Sequence, residues 1–257
     1  MYPIMGSYGS FFFYTLTFII WSGLVASIAL TIWLARRSPS PPPASPTAML
    51  TTLTTALLLG RLAFILTNLP FFQEQPSQLL NLWQGGFYYP ALILGALLAL
   101  FAHARYHHHP LTPYLILVTP ALLRLYTTGW LACYFEACAF GAVTSPSPLA
   151  ADLPDDFGVL ALRYQTQLIA VTFLTPLFLL SLYRWYRYPP PTLTTAARFW
   201  FPLALLHLTL IPLRGDINPT GWFSFDILFA ALLCGFTARL AWRPRLEKDT
   251  SLHAHRY

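Results

Sequence analysis

Four arginines stand apart from the other basic residues of this chain: Arg61, Arg124, Arg163 and Arg214. Each lies inside or at the edge of a long apolar run. Guanidinium is the side chain best matched to phosphate, because its planar fork donates two parallel hydrogen bonds to two oxygens. A charge within a bilayer costs several kcal/mol unless it is paired or reaches water, so such arginines are functional-site candidates. Arg61 sits well inside its run and is expected to face an internal polar cavity. Arg124 can snorkel or pair with an acid, and Arg163 and Arg214 lie at run ends, where snorkelling to the interface is the alternative. Converging on one cavity, Arg61, Arg163 and Arg214 would hold an anionic head group.

The elements that must position these residues are membrane helices. The chain of 257 residues is 56% hydrophobic and only 9% charged, against about 25% charged in an ordinary soluble domain. It reads as a single membrane domain over 1–257. Apolar runs lie near 11–35, 48–70, 86–105, 111–131, 163–183, 195–213 and 221–241, each close to the roughly 20 residues that a helical crossing needs. Breakers separate them: the proline-serine loop Ser38 to Pro46, the polar turn Pro70 to Gln84, His107 to Pro110, the loop Ser145 to Asp156, and Pro189 to Pro191. No small-residue cleavage pattern follows the first run, which is therefore expected to stay in the protein.

Basic residues follow every odd-numbered run: Arg36 and Arg37, Arg105, Arg184 and Arg187, then Arg239, Arg243, Arg245 and Lys248, while Arg198 opens the sixth. The positive-inside rule places all of them in the cytoplasm. The fold class expected is thus all-α: a bundle of about seven transmembrane helices, N-terminus outside and C-terminus cytoplasmic. The four set-apart arginines then share the outer half with most of the acids: Glu74, Glu136, Asp152, Asp155, Asp156, Asp216 and Asp226.

The formal charge of +6 is accounted for by topogenic arginine, and no soluble basic patch with interleaved aromatics points to nucleic acid. His107, His108 and His109 fall in a cytoplasmic turn without an acidic partner, so a solvated loop is expected there and no metal. Cys133 and Cys138 lack metal-site spacing with further ligands. Facing outward they can form a disulfide; packing thiols are the alternative and the one expected. No cofactor motif is present.

The polar interruptions, in order, resemble those of the prolipoprotein diacylglyceryl transferases over roughly residues 50 to 230. Gly60-Arg61-Leu62 with Phe64 is similar to that family's glycine-arginine-leucine segment, and Trp83-Gln84-Gly85-Gly86 to its tryptophan-acid-glycine-glycine turn, with Gly95 further on. Gly129 and Gly141 have the spacing of its long signature. Arg163-Tyr164-Gln165-Thr166-Gln167-Leu168 resembles its arginine-histidine-proline-x-glutamine-leucine motif through Arg163, Gln167 and Leu168, and Leu213-Arg214 with Asp216 its arginine-x-x-aspartate region. The departures are as specific. Pro90, Ala91 and Leu92 replace a histidine and two glycines, Trp130 replaces the signature arginine, and His207 and Ile211 stand where the family has an arginine and a glutamate.

The resemblance implies a seven-span protein that moves diacylglyceryl from phosphatidylglycerol to a cysteine thiol of a lipoprotein precursor, at the outer face of a bacterial cytoplasmic membrane. It implies substrate contacts from Arg61, Arg163, Arg214, Gln167, Gly85 and Gly86. His207 is the first candidate for accepting the thiol proton, with Glu136 and Asp216 after it. The partners expected are phosphatidylglycerol or another anionic phospholipid and a lipoprotein precursor. A catalytically degenerate lipid-binding or assembly subunit on the same fold is the rival; a small transporter is disfavoured by the lack of an internal repeat.

Overall fold

The computed structural model describes residues 4–8, 11–38, 46–80, 86–155, 157–187, 192–216 and 222–242. Trp83, Gln84, Gly85, Asp156, the loop from Pro39 to Ser45, Pro189 to Pro191, and Arg243, Arg245 and Lys248 lie outside them.

A short hairpin of β1 (Ile4–Tyr8) and β2 (Phe11–Tyr14) leads into α1 (Thr15–Arg37). Then come α2 (Pro46–Thr67), α3 (Leu69–Glu74), a 3₁₀ turn (Pro76–Leu80), α4 (Tyr89–Tyr106) and α5 (Leu111–Glu136). A second antiparallel hairpin, β3 (Ala150–Pro154) and β4 (Leu160–Tyr164), precedes α6 (Thr166–Arg187). The chain continues with α7 (Leu193–Leu210), a 3₁₀ turn (Ile211–Leu213) and α8 (Trp222–Ala241). Six helices, α1, α2 and α4 to α7, are long and apolar enough to cross a membrane; α8 adds 20 residues of similar character. Large apolar side chains such as Leu58, Leu66, Leu98, Leu180 and Leu232 are exposed along their outer faces, as surfaces solvated by lipid require.

Helices in lipid gain little from apolar burial against one another, so close approach of small residues must hold them. Here α2 and α4 meet at Gly95, where an added Cβ would lie 2.8 Å from the Thr55 carbonyl oxygen. Gly23 of α1 likewise receives Thr128 of α5, with Thr128 Cγ2 2.6 Å from the place of the missing Cβ. Hydroxyls inside the bundle satisfy themselves locally: Thr31, Thr119, Thr127, Thr128 and Thr237 each donate to the carbonyl four residues back, the usual solution for threonine in a helix. The tightest core joins α5, α6 and α7 through Leu123, Ala170, Leu174, Leu203, Leu206 and Leu210.

Three boundaries differ from the apolar runs. Residues 11–14 are strand, and α1 starts at Thr15. The loop between α5 and α6 contains β3 and β4. Arg163 therefore lies on a strand, and α6 begins only at Thr166. In β3 and β4, Leu153 and Arg163 are buried and Asp152 and Leu160 exposed, and Pro154 and Gly158, both poor helix residues, lie at the turn.

Candidate functional site

Arg61 is nearly buried, and backbone carbonyls occupy its guanidinium. Nη2 donates to Gln78 at 2.6 Å, Nη1 to Gly86 at 3.1 Å and Nε to Leu79 at 3.3 Å. The Phe64 and Phe72 rings flank it, with centroids 5.8 and 5.4 Å from Cζ. Gly86 has φ +77°, and a Cβ there would fall 2.7 Å from Arg61 Nη1 and 2.6 Å from the Phe64 ring. The glycine is required both by its backbone conformation and by this approach. Arg61 thus ties the segment between α2 and α4 to the bundle.

Arg163 and Arg214 are organised by one stretch of backbone, residues 140–144, which lies between them. On one side Thr144 N–H donates to Leu162 and Tyr164 N–H to Ala142; on the other Ala142 N–H donates to Leu213 and Gly215 N–H to Phe140. Val143 faces Arg163 and Gly141 faces Arg214 as antiparallel bridges. The Tyr164 carbonyl abuts Gly141 so closely that no Cβ fits there. Arg163 is 7% exposed. Its Nη2 pairs with Asp155 at 3.0 Å, its Nη1 donates to the Gly141 carbonyl at 3.5 Å, and the Phe140 ring lies 5.0 Å from Cζ. Asp155 also accepts from Phe157 N–H and Val159 N–H, closing the turn of the hairpin. Arg214 holds Asp216 with both arms of its fork, at 2.9 and 2.6 Å. Two guanidinium groups on two segments therefore flank one laminated strand, each held by a nearby carboxylate.

The remaining candidates distribute unevenly. Gln167 is 1% exposed; its Nε2 donates to the Cys138 carbonyl at 2.9 Å, while the neighbouring Thr166 hydroxyl donates to Ala139 at 2.7 Å. These bonds hold the turn after α5, where Ala137 and Ala139 have φ of 61° and 53°. His207 is buried, with its ring 4.4 Å from that of Tyr89, and the Arg214 charge acts on it. Glu136 is exposed at the end of α5 and makes no ion pair among the described residues. Gly85 lies outside those residues.

Cys133 and Cys138 correct the expectation of packing thiols: they are joined as a disulfide across the α5 terminus. The left-handed Ala137 turns the chain back, which brings the two Cα atoms to 4.7 Å. Two cavities among the described residues are lined by other side chains. One lies at the His108 turn, and the other is an apolar groove of about 200 Å³ between α2 and α4 near Tyr88 and Pro90.

Tyr88 and Asp226 were not among the candidates. The Tyr88 hydroxyl donates to Asp226 Oδ1 at 2.7 Å, linking the start of α4 to α8, and the charges of Arg214 and Asp216 both act on Asp226. Burial first, and then the Asp226 carboxylate, hold the Tyr88 phenol above its usual range. The signal was present: Asp226 is an acid inside an apolar run, and such an acid is a candidate by itself.

A family model for prolipoprotein diacylglyceryl transferase matches residues 3–242. The chain belongs to that family. Among its relatives are phosphatidylglycerol--prolipoprotein diacylglyceryl transferases. The Synechocystis sp. protein is 24% identical over 143 residues, 56% of this chain and 50% of the relative. That of Ruegeria pomeroyi is 29% identical over 171 residues, 60% of this chain and 57% of the relative. That of Thermus thermophilus is 37% identical over 63 residues, 24% and 23% of the two chains. The chain spans about half the length of the first two. This member of the diacylglyceryl transferase family carries the laminated arginine pair, with proline and tryptophan at Pro90 and Trp130.

Proposed function

We propose that this protein transfers diacylglyceryl from phosphatidylglycerol to a cysteine thiol of a lipoprotein precursor, at the outer face of a bacterial cytoplasmic membrane. The observation that carries the proposal is the pair Arg163 and Arg214 flanking residues 140–144 in a chain of this family. The reaction forms a carbon–sulfur bond to the lipid glycerol and breaks a carbon–oxygen bond to phosphate. Glycerol phosphate leaves with added negative charge, and the thiol proton goes to a base. Exchange of Asp216 or Asp155 for a phosphate oxygen lets an arginine fork follow that growing charge. The thiolate is the nucleophile, and His207, buried against Tyr89, is the proposed acceptor of its proton. Arg61, Gly86 and Gln167 act through the segments they hold.

The orientation proposed is seven crossings over one membrane domain, with the hairpin β3–β4 outside. Arg36, Arg37, Arg105, Arg184, Arg187 and Arg239 cluster at the opposite ends of the helices, as cytoplasmic loops require. The disulfide belongs to the hairpin end, which suits an oxidising compartment. A tag near Ser147 is expected to be reached from outside intact cells, and tags at Pro190 and the C-terminus only after permeabilisation; an internal Ser147 tag would overturn the orientation.

The test of activity is mass spectrometry of a cysteine-bearing precursor peptide incubated with purified protein and phosphatidylglycerol. We expect addition of one diacylglyceryl group, lost by about a hundredfold in Arg163→Ala and Arg214→Ala and kept in Arg239→Ala. Lipid binding without peptide modification would instead identify a lipid-binding subunit.

A further inference from the structure

The Arg124 side chain belongs to none of the contacts described so far. It lies on α5, and its side chain makes no hydrogen bond or ion pair among the described residues; its Nε is sealed from solvent without a partner. It cannot be excused as a snorkelling residue. It lies about 18 Å along the axis from the helix end at Glu136. Side chains on a helix lean toward its N-terminus, so Arg124, already at the midpoint of α5, leans further from the hairpin end.

A second orphan faces it. Ser27 of α1 is 5% exposed, and its hydroxyl has no partner. The register of the two helices brings them level. Gly23 receives Thr128, and further along α1 Leu34 and Ala35 pack on Leu117. Each step forward on α1 is a step back on α5, which sets Ser27 opposite Arg124. Both residues lie on the stripes that make the contact, Gly23-Ser27-Thr31 on one helix and Leu117-Arg124-Thr128 on the other. A half-buried cation and a buried hydroxyl donor, both without acceptors among the described residues, thus stand at one level of the α1–α5 contact. No carboxylate of the described residues pairs with Arg124. An uncompensated charge here costs several kcal/mol, and a small anion removes that cost while accepting from both groups.

We propose that Arg124 and Ser27 form an anion site between α1 and α5 that takes a phosphate group. The guanidinium donates two or more hydrogen bonds to phosphate oxygens and the serine hydroxyl one. The group comes from an anionic phospholipid or from free phosphate. The site is separate from Arg163 and Arg214, and it stands whether or not the protein transfers diacylglyceryl.

Native mass spectrometry of the full chain in detergent tests it, with phosphatidylglycerol, phosphatidylcholine and inorganic phosphate titrated separately. The wild type should carry one phosphatidylglycerol adduct more than Arg124→Met, and Ser27→Ala should weaken that adduct about threefold to tenfold. Arg214→Ala should keep it, which separates this site from the proposed transferase site. Phosphatidylcholine should not replace it. An Arg124-dependent adduct seen with inorganic phosphate and not with lipid supports the site and assigns it to soluble phosphate. If Arg124→Met fails to accumulate, Arg124→Lys and Ser27→Ala are compared with wild type, and weakened adducts are expected in both. Unchanged adducts in the variants, with either anion, would mean that the groups hold water only, and would overturn the proposal.

Discussion

Arg61 on α2 and the two arginines flanking residues 140–144 are held in opposite ways. Arg61 spends its fork on three main-chain carbonyls, from Gln78, Leu79 and Gly86. Those oxygens belong to the backbone and cannot swing away by a side-chain rotation. Arg163 and Arg214 are held by Asp155 and Asp216, side chains on turns that can swing to water. A phosphate can take the place of Asp216 without leaving a main-chain donor unpaired, whereas Asp155 also accepts from Phe157 N–H and Val159 N–H, and Arg163 also donates to the Gly141 carbonyl. Three cations that look alike in the sequence therefore divide into a clamp at Arg61, a fork with a replaceable partner at Arg214, and an intermediate case at Arg163.

The largest effect expected from this contrast is on stability. Arg61→Met removes the donor from three carbonyls at roughly 1–3 kcal/mol each, and should lower the thermal midpoint more than any other single arginine substitution. Arg61→Lys should recover little, because one ammonium cannot span three acceptors. A midpoint unchanged in Arg61→Met would erase the distinction between clamp and fork. The second effect separates the laminated strand from its support. Replacing Cys133 and Cys138 with serine opens a short loop worth about 2 kcal/mol; denaturant unfolding should show that loss, with Thr166 and Gln167 still holding the turn. A loss far above it would mean that the disulfide, and not these two side chains, positions residues 140–144. The smallest effect is on binding. Asp216→Asn frees the Arg214 fork from a part-exposed pair worth about 0.2–1 kcal/mol, so phosphatidylglycerol retention should strengthen by up to about fivefold. Weaker retention would show that Asp216 organises the site and does not compete for it.

The long helices lie over the apolar runs of the sequence because twenty apolar residues between breakers have few other uses. The segment Gly60-Arg61 is visible there too, as a charge too deep to reach water. What is not legible is the partner of each charge. Gln78 and Gly86 reach Arg61 through main-chain oxygens, which carry no signature in side-chain letters. Arg163 reads as the first residue of a helix because an apolar run follows it, and the Val159–Leu162 stretch before it is continuously apolar and carries no strand alternation. The disulfide depends on Ala137 adopting a left-handed conformation that alanine rarely takes. Glu136 lies inside the Cys133–Cys138 loop and is exposed, and the loop closure that places it there has no mark in the sequence.

The lamination of residues 140–144 between 162–164 and 213–215 also sets an order of construction. The chain leaves the ribosome N-terminus first, so Gly141 emerges with α5 complete and finds no neighbour for its backbone groups. The hairpin supplies the first edge before α6 enters the membrane. The second edge arrives only after α7 has been threaded and the 3₁₀ turn at Ile211–Leu213 has formed. A nascent chain halted at Leu210 would own α5, the hairpin, α6 and α7, and still lack both the second edge and Arg214. The laminated arginine pair is thus finished late, by a short turn and not by a helix.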